Sequence, residues 1–380
     1  MDALMLPSNW QKVRLGDIAE IIGGGTPSTQ ITSFWSGSIN WFTPTEIGIT
    51  KYVHKSQRTI TPLGLKKSSA KLLPIGTILL TSRASIGDCA ILKVVATTNQ
   101  GFQSLIPLEK INNEFLYYLI LTLKNKLLEL ASGSTFLEVS PNKIKNLLIP
   151  LPPLNEQIAI ANVLSDVDHY LYTLDALILK KESVKKALSF ELLSQRKRLK
   201  GFNQAWKKVR LGDICEITTG SLDANEMVHY GKYRFYTCAK EYYFIDKYAF
   251  DTEAILISGN GAYVGYVHYY KGKFNAYQRT YVLDNFSEHI IFVKYFLTMF
   301  LQSHIQTNRN EGNTPYIVMA TLKDFEILLP PLNEQIAIAN ILNALDNEII
   351  SLKNKKRQFE NIKKALNHDL MSAKIRVLKK

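Results

Sequence analysis

From Leu164 onward an apolar residue recurs every three or four positions: Leu164, Val167, Leu171, Leu174, Ile178, then Val184, Leu188 and Leu192. A second stretch repeats the rhythm through Leu342, Leu345, Ile349, Leu352, then Phe359, Ile362, Leu366 and Leu370. That spacing predicts the seam of a coiled coil. Pro152-Pro153 and Pro330-Pro331 stand just ahead, at or before a helix start, because proline lacks the donor that a helix interior needs. Asn155 and Asn333 are expected as N-caps, and Glu156 and Glu334 follow in a first turn whose dipole favours negative charge. Neither stretch meets a glycine or proline until Gly201 in the first. About 45 residues at 1.5 Å each predict rods of roughly 65 Å. Because each rod follows its own globular segment, the pair is expected to be antiparallel. The alternative is two independent amphipathic helices lying on their own domains.

The segments before the rods have a different texture. Short strand-like runs (Thr77–Thr81, Ala90–Val95, Ala254–Ile257, Tyr263–Tyr269) alternate with Gly, Asn and Ser turns. One amphipathic helix is expected late in each segment, near Glu114–Leu130 and His289–Ile305. The expected fold class is α+β: two α/β domains alternating with two long helices. Neither domain shows the strand–helix alternation with a glycine fingerprint that a nucleotide fold requires.

The pattern is duplicated in letters as well as in rhythm. Leu151–Asn162 reads LPPLNEQIAIAN, and Leu329–Asn340 reads the same. Trp10–Ile18 (WQKVRLGDI) returns as Trp206–Ile214 (WKKVRLGDI). The chain is therefore two copies of one unit, with pseudo-two-fold symmetry expected. The boundaries are a first variable domain over 1–150, a helical region over 151–200, a second variable domain over 201–329 and a second helical region over 330–380. The rods share register at an offset of 178 residues, so that Lys181 matches Phe359 and Ile178 matches Lys356. Each rod carries a lysine where the other is apolar.

Charge narrows the function. The 380 residues hold 46 Lys+Arg against 33 Asp+Glu, a net +13 that favours nucleic acid or an anionic surface as partner. Phe115–Leu123 and Ile290–Leu301 are too short to span a membrane, and MDALMLPSNW has no basic-then-apolar leader. Cys89, Cys215 and Cys238 make no C-x-x-C, which reads as reduced thiols in the cytoplasm rather than a zinc or disulfide site. No phosphate-binding loop, G-x-S-x-G or H-E-x-x-H is present, and the seven histidines have no ligand spacing. Gly23-Gly24-Gly25-Thr26-Pro27-Ser28 lacks the lysine of a phosphate cradle. No catalytic or metal site is expected, and a binding protein is favoured over an enzyme.

The P-P-L-N-E-Q signature at the mouth of each rod, with W-x-K-V-R-L-G-D-I opening each domain, resembles the specificity subunit of Type I restriction–modification systems. The resemblance covers essentially the whole chain. Gly23–Ser28, followed by Phe34-Trp35 and Ile39-Asn40-Trp41, is similar to a recurrent opening of target-recognition domains in that family. It implies two target-recognition domains, each reading one half of an interrupted, asymmetric sequence in double-stranded DNA. It also implies helical regions that set the unread spacer and dock two methyltransferase subunits, with restriction and motor subunits in the full complex. The seam and docking residues so implied are Leu154, Glu156, Gln157, Leu164, Leu171 and Leu174, with Leu332, Glu334, Gln335, Leu342, Ile349 and Leu352 in the second copy. S-adenosylmethionine, ATP and Mg are expected on partner chains, and this chain is expected to be non-catalytic and cofactor-free. The rival reading is an orphan bipartite DNA-binding protein without restriction partners.

Polar loops at corresponding places in the two copies are the candidates for DNA contact. Small residues let a backbone approach phosphates, Asn and Gln read adenine edges, and Arg reads guanine. The first domain offers Thr26, Ser28 and Trp41, then Ser82, Arg83 and Ser85, then Asn99, Gln100 and Gln103, and Ser134 with Thr135. The second offers Ser258, Asn260 and Tyr263, then Gln278 and Arg279, and Asn313, Thr314 and Tyr316. Each set is equally readable as tight turns between strands. The many tyrosines of the second domain are read first as sheet residues.

Overall fold

The structure is a computed structural model that describes residues 6–133, 137–308 and 315–378. Its contacts divide the chain into two units: Met1–Asp175 with Lys355–Lys380, and Ala176–Asn354. Each rod therefore gives its first part to one unit and its last part to the other.

In the first unit the repeated motifs meet. Gln11–Arg14 pairs antiparallel with Leu148–Leu151, so that the strand after Trp10 closes against the strand that leads into the proline signature. A five-stranded sheet follows in the order Ala19–Gly23, Gln103–Pro107, Ile78–Leu80, Cys89–Leu92, Tyr52–Val53, and a three-stranded one in the order Arg58–Ile60, Trp35–Phe42, Ala96–Thr98. The helix Asn113–Thr122 is capped by Asn112, whose side chain accepts from the Phe115 amide at 2.9 Å. It buries Phe115 to Ile120 in a core shared with Ile78, Ile91, Ile160, Leu164 and Leu370. The single late helix expected here is two, because the chain breaks at Leu123 before Lys124–Leu130.

The second unit repeats the closure, with Lys207–Arg210 antiparallel to Glu326–Leu329. Its sheet has six strands in the order Glu216–Thr219, Thr280–Asp284, Phe250–Ser258, Val267–Ala276, Tyr233–Tyr236, Tyr243–Ile245. The expected strand at Tyr263–Tyr269 begins only at Val267; Gly261 and Gly265, at φ of 82° and 81°, turn the chain ahead of it. Ile290–Asn308 supplies the helix, and Phe292, Val293 and Leu297 pack with Ile338 and Leu342 of the rod.

The rods are single helices of 40 residues, Leu154–Leu193 and Leu332–Met371, roughly 60 Å each. They start two residues earlier than the asparagine caps predict. Asn155 and Asn333 lie inside the first turn, and Pro153 and Pro331 accept the first amides. The pairing is antiparallel within each unit. In the first, Asp168 meets Lys363 and Asp175 meets Lys356; in the second, Lys181 meets Glu348 and Lys185 meets Asp346. Leu164, Leu174, Ile178, Leu342 and Ile349 are buried along the seam, whereas Val184 and Ile362 are 47% and 51% exposed.

Candidate nucleic-acid interface

The loops singled out by comparing the two copies come together inside each unit. In the first, the Gly24 backbone passes so close to the Asn99 carbonyl that a Cβ would lie 1.9 Å from its oxygen. The Gly25 amide donates to Thr98 at 2.8 Å, and Thr26 donates its hydroxyl to Gln100. Trp41 donates its indole N–H to the Gly25 carbonyl and Trp35 to that of Ser28, so two tryptophans hold the loop from below. The Ser82 amide donates to Gly101 at 2.8 Å, and Arg83 pairs with Glu138 at 2.7 Å.

The second unit builds the same junction from different residues. A Cβ on Gly220 would lie 1.8 Å from the Ala276 carbonyl oxygen. The Gln278 amide donates to Leu222, and the Gly259 amide to Arg279 at 2.8 Å. Asn260 bridges to Tyr316, and the Gly261 amide donates to Pro315. Lys240, which the loop comparison misses, sits 5.1 Å from the Tyr263 ring and adds a cation to this surface.

The candidates do not share one environment. Ser28, Gln100, Gln278 and Arg279 are exposed, Tyr263 and Tyr316 are more than a third exposed, and Thr26, Arg83, Ser85, Asn99 and Asn260 are half-buried. Trp41, Ser82, Gln103 and Ser258 are corrections: all four are buried, and Trp41 and Ser82 already bond to the backbone of Gly25 and Gly101. Ser134, Thr135, Asn313 and Thr314 lie outside the described residues. Among the described residues no three His, Cys, Asp or Glu side chains form a metal-binding group, and no helix is long and apolar enough to cross a membrane.

The rods correct a second set. Glu156, Gln157, Glu334 and Gln335 are at most 1% exposed, so they face the interior of their own units. Gln157 donates to the Pro152 and Lys110 carbonyls and accepts from the Asn112 amide; Gln335 donates to Pro330 and Glu288 and accepts from the His289 amide. Glu156 is bound by Arg376 and Trp10, Glu334 by Arg198 and Trp206. Tyr118 and Lys363 converge on Asp168 as Tyr295 and Lys185 converge on Asp346. Burial and that carboxylate push both tyrosine hydroxyls well above their ordinary range.

What the rods leave in solvent is also duplicated. In the first unit Leu154, Ile158, Tyr172 and Ile362 are exposed; in the second, Leu332, Ile336, Ile350 and Val184 occupy the same repeat positions and are exposed as well. Each unit also carries a groove along its rods, about 660 Å³ near Leu171, Glu360 and Lys364 and about 390 Å³ near Ile349, Glu182 and Lys186.

The family described as Type I restriction modification DNA specificity domain matches residues 7–181 and again 203–361. This chain belongs to that family. The Type I restriction enzyme MjaIX specificity subunit of Methanocaldococcus jannaschii is 30% identical over 98% of this chain and 95% of its own length. The EcoDI specificity subunit of Escherichia coli is 38% identical over 44% of this chain and 37% of its own. Two solved structures share the fold. The Type I restriction–modification S subunit from M. genitalium aligns at TM-score 0.63, with 19% identity, over 97% of this chain and 98% of that one. The HsdS subunit from Thermoanaerobacter tengcongensis aligns at 0.53, with 18% identity, over 98% and 99%. In this specificity chain the double family match falls on the same two copies that the repeated motifs delimit.

Proposed function

We propose that each unit reads one half of an interrupted, asymmetric site in double-stranded DNA and that the rods dock two copies of a methyltransferase subunit. Methylation, ATP hydrolysis and cleavage are then the work of partner chains, which carry S-adenosylmethionine, ATP and Mg. The observation that carries the reading is the duplicated loop junction. Its frame is the same in both units, whereas the side chains it presents differ, with Gln100 and Arg83 in one and Gln278, Arg279 and Tyr263 in the other. A shared frame with different polar tips suits two different half-sites. The net +13 supplies the sequence-independent attraction to phosphate.

The docking part rests on the matched exposed residues of the rods. Four apolar positions repeated in both units offer one surface twice, which fits two identical partners. The glutamates and glutamines of the signature serve this indirectly, by fixing where each rod starts.

The test is methylation-site mapping in a host carrying the cognate methyltransferase, with residues 258–263 and 277–280 replaced by the matching loops of another family member. The second half-site changes while the first half-site and the spacer stay. A change in the first half-site, or none in the second, overturns the assignment of one unit to one half.

A further inference from the structure

The two copies agree on most inter-rod contacts and disagree on a few, and the disagreements are complementary. Asp168–Lys363 in the first unit and Asp346–Lys185 in the second are the same pair seen from either copy, so they favour no particular partner. One step along, the first unit packs Tyr170 against Phe359 with ring centroids 4.6 Å apart. The repeat equivalents of those residues are Glu348 and Lys181, and in the second unit they form an ion pair at 2.8 Å. Asp175 pairs with Lys356 at 2.7 Å in the first unit; their equivalents are Lys353 and Ile178, and Lys353 turns instead to Glu182 at 2.6 Å.

We infer that these positions are a pairing code, which makes each rod select the unlike rod and reject a second copy of itself. The register shows what like pairing does. Two first rods set antiparallel place Tyr170 against Lys181 twice and Asp175 against Ile178 twice, and Asp175 then faces Glu182 without Lys356 between them. Two second rods place Glu348 against Phe359 twice and Lys353 against Lys356 twice, with Glu360, the repeat equivalent of Glu182, as the one carboxylate beside both lysines. Unlike pairing has one aromatic contact and three ion pairs; like pairing has unmatched charges or like charges, which disfavour a helix pair. Specificity here is a difference between pairings, made partly by repulsion. The partner this surface fits best is the other half of a specificity chain, including one from another copy.

The inference is independent of what DNA the units read, so its test reads composition rather than binding. A protease site replaces Gly201, which is exposed with φ of 94° and open space around its Cβ. The folded full chain is cleaved there and incubated with a heavy-isotope copy until light and heavy fragments have mixed. Native mass spectrometry then counts the pairs. The expected result is one-to-one pairs of first and second fragments, in roughly tenfold excess over like pairs, since several contacts change together and tenfold corresponds to about 1.4 kcal/mol. A statistical mixture of like and unlike pairs overturns the inference. Glu348→Tyr, Lys353→Asp, Lys356→Ile and Phe359→Lys together give the second rod the code of the first, and selectivity falls to the statistical ratio; retained selectivity also overturns it. A swapped chain (Tyr170→Glu, Lys181→Phe, Glu348→Tyr, Phe359→Lys) keeps both kinds of contact and stays one-to-one. Its first fragment mixed with a wild-type second fragment loses the share of selectivity that these positions supply, with Asp175–Lys356 and Lys353–Glu182 left to carry the rest. If that mismatched combination pairs as selectively as the matched ones, the code lies elsewhere.

Discussion

Arg376 holds the buried carboxylate of Glu156 with two guanidinium hydrogen bonds, one of them 2.8 Å long, and Trp10 donates a third bond at 3.0 Å. Arg198, Glu334 and Trp206 repeat the arrangement in the other unit. The arginine comes from beyond the end of one rod and the glutamate from the start of the other, so the bond ties a rod start, a rod end and the opening motif of a domain into one cluster. This accounts for tryptophan and glutamate recurring together in both copies.

Arg376→Met is expected to destabilise the first unit by about 3 kcal/mol, because it leaves Glu156 buried with one of its partners gone. The double substitution Arg376→Met with Glu156→Leu recovers most of that, since no charge is then stranded. Urea unfolding followed by tryptophan fluorescence checks both. A single variant as stable as the double would show that the arginine is not what keeps the glutamate in place.

Gly24→Ala and Gly220→Ala are each expected to cost more than about 2 kcal/mol, because the new methyl meets a backbone carbonyl that cannot move aside as a side chain would. The damage is local to one junction. If each unit reads one half-site, mapping of methylated sites should show weakened discrimination in one half, with the other half unaffected. Thermal melting of the same variants separates loss of the loop from loss of the fold.

The periodic parts of this molecule are legible in its sequence, and the parts held by distant partners are not. The 3–4 rhythm and the proline pairs locate the starts of both rods to within two residues and overestimate their length by about five, because a helix writes its buried face into local spacing but frays where that face ends. Glu156 and Gln157 look like first-turn surface residues, and their burial depends on Arg376, Trp10 and Lys110, none of them near in sequence. Trp41 fails as a contact candidate for the same reason: its partner is the Gly25 carbonyl, and no local pattern marks it as core. The loops were findable only because the chain supplies two copies to compare. Lys240 escaped because its ring partner, Tyr263, lies across the fold.

His268 gives the second unit a pH dependence with a definite sign. Burial holds its pKa below the usual 6.5, against the smaller upward pulls of its bond with the Ala239 carbonyl and of Glu241. The folded form therefore favours the neutral ring. The stability is complete above pH 6.5 and declines as pH falls from there toward the lowered folded value, because the unfolded chain takes up the proton first. Tyr236 and Tyr266 flank the ring at 5.2 and 4.7 Å and limit its access to water. His268→Gln should flatten the fall of the unfolding midpoint as pH drops below 6.5, apart from whatever slope other groups give both proteins. An unchanged slope would place the proton elsewhere.

If the rods set the unread spacer, one turn inserted in both at matched places should lengthen it. Four residues after Leu174 and four after Leu352 fall at equivalent points of the repeat. Asp168–Lys363 lies wholly to one side of the two insertions and Lys185–Asp346 wholly to the other, so the pairing inside each unit survives. Only contacts at the junction, such as Asp175–Lys356, are lost. The insertion adds about 6 Å of helix, which against about 3.4 Å per base pair corresponds to one or two base pairs of added spacer. A helix can transmit this because its length is fixed by hydrogen bonds, whereas a flexible linker would absorb it. Methylome sequencing of a host carrying the variant with its methyltransferase reads half-sites and spacer together. Unchanged half-sites with a longer spacer are expected. Changed half-sites with the old spacer would mean that the rods do not measure distance.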